Sequence, residues 1–92
     1  LSVGSGYKVV FTKSARKDLK KIENVQLRFI KSWLVKNLEG CENPRLYGKA
    51  LVGDKKDFWR YRVGAYRLIA NIDDGLIIIE IVSVGHRREV YK

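Results

Sequence analysis

Two turn signals, Gly64-Ala65 and Asp74-Gly75, constrain this chain more than any other feature, because they divide residues 58–91 into strands whose register can be counted. The stretch reads FWRYRV-GA-YRLIANID-DG-LIIIEIVSVGHRREVY, two hairpins in succession. Trp59, Tyr61 and Val63 alternate with Arg60 and Arg62, the period-2 pattern of a half-buried strand. Gly64-Ala65 fits a two-residue turn with glycine at its first central position, and Asp74-Gly75 fits the other favoured two-residue turn. Pairing Val63 with Tyr66 sets Tyr61 against Leu68 and Trp59 against Ala70, all on one face. Pairing Asp73 with Leu76 sets Ile72, Ala70 and Leu68 against Ile77, Ile79 and Ile81 on the same face. The two hairpins then share one continuous apolar surface.

The same register puts Arg62 directly across from Arg67 on the other face, with Arg60 two residues along. Like charges directly opposite on a sheet are destabilising, so stability alone does not select them. Glu80, diagonal to Arg67 in this register, offsets part of the repulsion. A single arginine here reads most plainly as part of a solvated surface. Three that converge, continued by His86, Arg87 and Arg88 where the last strand ends, point to a site for a phosphate-rich anion.

Ninety-two residues hold one domain with one modest core. The net charge of +9 is large for this length and points to nucleic acid, the ribosome or another polyanion as partner. No apolar run approaches the roughly 18 residues of a membrane span, and no secretory signal is visible, so no membrane partner is expected. The lone Cys41 cannot form an internal disulfide, which suits a reducing cytoplasm. One Cys and one His supply no zinc-type ligand set, and neither metal nor cofactor is expected.

Residues 1–6, LSVGSG, read as a remnant added to the chain, leaving residues 7–92 as a single domain. Residues 7–11 (YKVVF) form a first strand. Thr12 or Ser14 offers a helix N-cap, and Ala15, Leu19 and Ile22 recur at helical spacing, with Arg16, Lys17, Lys20 and Lys21 on the other face. Asn24 can cap a second helix running to about Glu39, with Leu27, Ile30, Leu34 and Leu38 as its stripe, widened by Phe29 and Trp33. Gly40 is its stop. Residues 41–57 carry turn residues and read as a loop draped over the domain edge. The expected fold is α+β in the order βααβββ: a helical hairpin on one face of a small, largely antiparallel four-stranded sheet, with the other face open and basic.

The basic face of the first helix reads first as a solvated surface, and in its functional reading as a non-specific contact to phosphate backbone, shared by Arg88. Trp33 and Trp59 both point to the core. Histidine is the side chain that titrates near neutrality, so His86 beside a basic face is a candidate for acid–base work. Tyr91 is second from the end, where side chains are often dispensable. Turned back onto the sheet, its phenol would meet the arginines, which favour the phenolate.

At these residues the chain resembles RelE-type toxins of bacterial and archaeal toxin–antitoxin pairs, within the wider RelE/ParE superfamily. The resemblance runs from Tyr7 onward. It is carried by the Ser14-Ala15-Arg16-Lys17-Asp18-Leu19 helix start, the Arg45-Leu46-Tyr47-Gly48-Lys49-Ala50-Leu51 loop, Tyr61-Arg62-Val63-Gly64-Ala65-Tyr66-Arg67-Leu68, and the Val84-Gly85-His86-Arg87-Arg88-Glu89-Val90-Tyr91 ending. It implies a cytoplasmic RNase that enters the ribosomal A site and cuts mRNA without metal. It also implies an antitoxin made from the neighbouring gene, with operator DNA met only through that antitoxin. Arg67 matches the family's strand arginine, Arg60 and Arg62 alternate basic positions, Arg87 a basic position after the last strand, and Tyr91 the C-terminal tyrosine. His86 falls where members vary between lysine and histidine.

Metal-free cleavage of RNA proceeds by 2′-OH attack on the adjacent phosphate. It needs a base, an acid for the leaving 5′-oxygen, and positive groups for the charge that builds on the phosphoryl oxygens. The resemblance assigns Tyr91 as base, Arg87 or His86 as proton donor or its helper, and Arg60, Arg62 and Arg67 as charge stabilisers. A guanidinium is a poor proton donor near neutral pH, so the stabilising roles are the firmer ones. The competing reading is a ParE-like toxin that poisons DNA gyrase by contact and cleaves nothing; a third is an RNA-binding domain without activity. Fold alone does not separate them.

Overall fold

The computed structural model describes residues 6–51 and 58–86. Two helices pack on one face of a five-stranded mixed sheet. The elements are β1 (Lys8–Phe11), α1 (Lys13–Lys20), α2 (Asn24–Asn37), a 3-10 turn (Pro44–Tyr47), β2 (Gly48–Ala50), β3 (Phe58–Val63), β4 (Tyr66–Asp73) and β5 (Ile78–His86). The strand order is β1-β5-β4-β3-β2, with β1 parallel to β5 and the other pairs antiparallel. The helical hairpin on one face and the two successive β-hairpins stand as expected; the strand count does not. The fifth strand, β2, lies in the segment read as loop. Three residues beginning with glycine carry no period-2 signal, and the pairing is supplied by the otherwise open edge of β3.

Thr12 caps α1, its Oγ1 accepting from the Ala15 N–H at 3.1 Å. Asn24 is the first residue of α2 rather than its cap; Glu23 takes that place without a side-chain bond. Ile30, Leu34 and Leu38 are buried, together with Ala15 from α1 and Tyr61, Val63, Leu68, Ala70, Ile79, Ile81 and Val84 from the sheet. Trp33 and Trp59 pack against this core as expected. Phe29 does not join it: the ring is half exposed and lies over the β3–β4 turn, about 3.0 Å from where a Cβ on Gly64 would stand. Gly64 has φ +61, which suits glycine at the first central turn position.

The first hairpin pairs as counted from sequence: Val63 with Tyr66, Arg62 with Arg67, Tyr61 with Leu68, Trp59 with Ala70. The second does not. Asp73 pairs with Ile78, so the turn holds four residues, with Ile77 at φ 57 and Asp73 Oδ1 accepting from Leu76 N at 3.0 Å. The register therefore slips by two, and a slip of two leaves every side chain on its original face. Ile79 and Ile81 still enter the core, opposite Ile72 and Ala70. Ile77 is exposed instead.

A β-bulge then changes the face. Ala70 pairs with Ile81 but Ile69 with Ser83, leaving Val82 as the extra residue. Two groups of the α1 region take up the backbone polar atoms near this break. Asp18 Oδ2 accepts from Val84 N at 2.9 Å, and Thr12 Oγ1 donates to the Val82 carbonyl at 3.3 Å. Beyond the bulge even-numbered residues face the helices, so Val84 is buried against Leu68.

Candidate functional site

Alternation puts Lys49, Arg60, Arg62 and Arg67 on the sheet face away from the helices. Lys49 stands opposite Arg60, and Arg62 opposite Arg67. Two like-charge pairs thus lie side by side on three strands. Lys49 was missed from sequence because its strand was; the signal available was only a basic residue beside Gly48. That glycine is required. A Cβ at position 48 would stand 2.9 Å from the Trp59 ring and meet the Arg60 carbonyl oxygen as well. Only glycine lets β2 approach β3 closely enough to present Lys49.

The 3-10 turn is fixed from both sides of its chain. The buried Tyr61 hydroxyl donates to the Pro44 carbonyl at 2.7 Å, and burial raises this phenol above its ordinary pKa. Arg45 makes a bidentate ion pair with Asp74 (3.1 and 3.0 Å) and lies 5.9 Å from the Trp59 ring centroid. The Tyr7 hydroxyl donates to the same carboxylate at 2.7 Å. The Arg45 bond first, then that of Tyr7, holds the Asp74 carboxyl below its ordinary pKa. The turn carries Leu46 and Tyr47, both exposed, into a shallow pocket of about 340 Å³. Among the described residues that pocket is lined by Leu46, Tyr47, Gly48, Lys49, Arg60 and Arg62.

The sequence-predicted residues divide into four groups. Arg60, half buried, and Arg62, exposed, share the basic face with Lys49 as expected. Arg67 shares it too but is only 2% exposed, which corrects the expectation of a uniformly open face. Its neighbour on β5 is Gly85, which adds no side chain beside it, and Glu80 is not diagonal to it, standing instead beside Asn71. His86 is on the other face. It pairs with Tyr66, their rings 5.5 Å apart and nearly perpendicular, and shares a cleft with Asp18, Lys21 and Ile22. The bulge at Val82 is the reason, since without it His86 would fall on the arginine side. Arg16, Lys17, Lys20 and Lys21 are exposed on α1 and its end, also on the helix side. Arg87, Arg88 and Tyr91 lie outside the described residues, as do residues 1–5 and 52–57.

A model of the family described as ParE toxin of type II toxin–antitoxin system matches residues 9–91. Toxin RelG of Mycobacterium tuberculosis is 33% identical over 86 residues, covering 94% of this chain and 97% of that protein. Among solved structures, the toxin–antitoxin complex RelBE2 of Mycobacterium tuberculosis contains a chain that superposes with a TM-score of 0.82 at 32% identity, over 91% of this chain and 94% of that one. The isolated Escherichia coli RelE toxin superposes with a TM-score of 0.71 at 29% identity, over 94% and 92%. The chain belongs to the RelE/ParE superfamily of type II toxin–antitoxin toxins and is of the RelE type.

Proposed function

We propose that this toxin is a cytoplasmic, ribosome-dependent endoribonuclease that cuts mRNA by 2′-OH attack, and that a cognate antitoxin holds it inactive. The observation that carries the reading is the pair of like-charge pairs, Lys49/Arg60 and Arg62/Arg67, on one sheet face. Like charges set directly opposite on a sheet disfavour one another. Each pair is relieved when a phosphate enters, and more so as charge builds on its oxygens in the transition state. Arg60, Arg62 and Arg67 are the charge stabilisers, Lys49 a further cation beside them. Tyr91 as base and Arg87 as proton donor complete the set. His86 has no proton-transfer role in this reading, because it stands on the helix face. The exposed cations of α1, with Arg88, make non-specific contacts to ribosomal RNA. Solved relatives in complex with antitoxin support the antitoxin partner.

The second reading, a gyrase poison, is favoured by the ParE description of the matching family model. A pure binder has no chemical use for opposed arginines. Primer extension on mRNA in a translation reaction decides between them. Cuts confined to translated codons support the nuclease; gyrase-linked DNA breaks with intact mRNA overturn it.

A further inference from the structure

The pocket beside the arginines contains two residues that phosphate chemistry does not explain. Leu46 is 70% exposed and Tyr47 43% exposed, side by side at the end of a 3-10 turn. Leaving a leucine and a tyrosine in water is unremarkable singly. Here the turn that presents them is anchored by the buried Tyr61–Pro44 hydrogen bond and by the Arg45–Asp74 pair. The Tyr47 ring also stands nearly perpendicular to the Trp33 ring, centroids 6.4 Å apart at 85°. That arrangement fixes the plane of the ring while leaving part of it exposed. Lys49, Arg60 and Arg62 line the same pocket.

We infer that Leu46, Tyr47 and Lys49 form a nucleotide subsite, in which the Tyr47 ring and Leu46 hold one unpaired RNA base while Lys49 contacts the phosphate attached to it. The inference rests on the RNA-cleaving reading and adds to it the group that seats a nucleotide flanking the scissile bond. A flat aromatic surface beside a strip of cations is the arrangement that binds single strands, stacking the base and tracking the backbone. The pocket is shallow and cationic, which suits a nucleotide inserted edgewise and not an enclosed apolar ligand. Tyr47 and Lys49 are positioning residues here, distinct from the arginines that meet the reacting phosphate.

The probe is a 2′-O-methyl RNA hexanucleotide, which cannot be cut by 2′-OH attack, titrated at low salt and followed by chemical shift. Tyr47→Ala weakens binding about tenfold, and Tyr47→Phe recovers most of the loss because the π-face is restored. Lys49→Gln lowers the slope of log K against log salt by about one. An oligonucleotide series with a single abasic site moved along it contains one member whose binding Tyr47→Ala no longer weakens. Leu76→Ala, an exposed aliphatic change at the β4–β5 turn, serves as surface control, and thermal melts confirm that each variant is folded. Binding unchanged in folded Tyr47→Ala, or no binding by the parent, overturns the subsite. Tyr47-dependent binding without any cleavage of ribosome-bound mRNA keeps the subsite and sinks the nuclease reading. Parent-like binding and cleavage by Tyr47→Ala does the reverse.

Discussion

Arg62 and Arg67 face each other across a hairpin, yet their surroundings make them opposite experiments. Arg62 is exposed, so its charge is largely solvated and its removal relieves a repulsion of a few tenths of a kcal/mol. Arg67 is among the largest fully buried side chains, so truncation removes packing and buried polar contacts together. Arg62→Ala is therefore expected to melt at or slightly above the parent while losing roughly 100-fold or more in cleavage of ribosome-bound mRNA. Arg67→Ala is expected to lose about 1–3 kcal/mol of stability as well as activity. Leu68→Ala, in the core on the other side of the strand, costs about 2–5 kcal/mol. Thermal melts alongside a cleavage assay check all three. An Arg62→Ala protein that cleaves like the parent contradicts the assignment of this face as the site.

At the scale of elements, the second hairpin and its bulge decide what was legible in the sequence. The Gly64-Ala65 turn could be counted because its glycine has one good position, and every pair across it followed. Asp74-Gly75 carried a two-residue signal, but the chain closes through Ile77 in the left-handed region, which nothing in the composition announces. The apolar face survived that miss only because the slip was by an even number. The bulge at Val82 had no local signal at all, since its support comes from Thr12 and Asp18, some 70 and 66 residues away. That is why strand alternation read from the sequence alone leaves His86 beside the arginines, whereas the bulge turns it to the helix face. Asp18→Ala removes the acceptor for Val84 N and is expected to cost about 1–2 kcal/mol, a fall of several degrees in Tm. Asp18→Asn keeps an acceptor oxygen and loses less, and melts of the two variants make the comparison. The clip at the opposite end of the sheet gives a pH test. The folded-state pKa of Asp74 is depressed, chiefly by Arg45 and then by Tyr7, so its contribution is present above the ordinary carboxylate range near 3.9 and lost as pH falls below it. The Tm difference between the parent and Asp74→Asn is expected to shrink steadily below about pH 4 and to stay level from there to neutrality.

For the whole molecule, the excess of nineteen Lys and Arg over ten Asp and Glu is spread over both faces of the sheet. The exposed lysines of α1 lie on one side, and Lys49, Arg60 and Arg62 on the other. Such a body is expected to associate with polyanions generally, and that association to weaken steeply with salt. Charge alone therefore does not give cleavage. Among the described residues the arginine face holds the cations proposed to meet a phosphate, and its one histidine neighbour in sequence is turned to the far side. In the proposed nuclease the remaining acid–base candidates, Arg87 and Tyr91, are individually weak, so most of the rate would have to come from holding the 2′-OH in line with its phosphate. A ribosome that presents a constrained codon would supply that geometry, and well-oriented reactions gain many orders of magnitude from it. The purified protein is thus expected to bind free RNA with strong salt dependence yet cut it slowly, and to cut ribosome-engaged mRNA rapidly. Single-turnover cleavage of one mRNA, with and without ribosomes and at two salt concentrations, makes the measurement. Rapid cutting of the naked message that ribosomes do not accelerate would show that the chain carries its own complete acid–base pair, and that positioning by the ribosome is not the missing component.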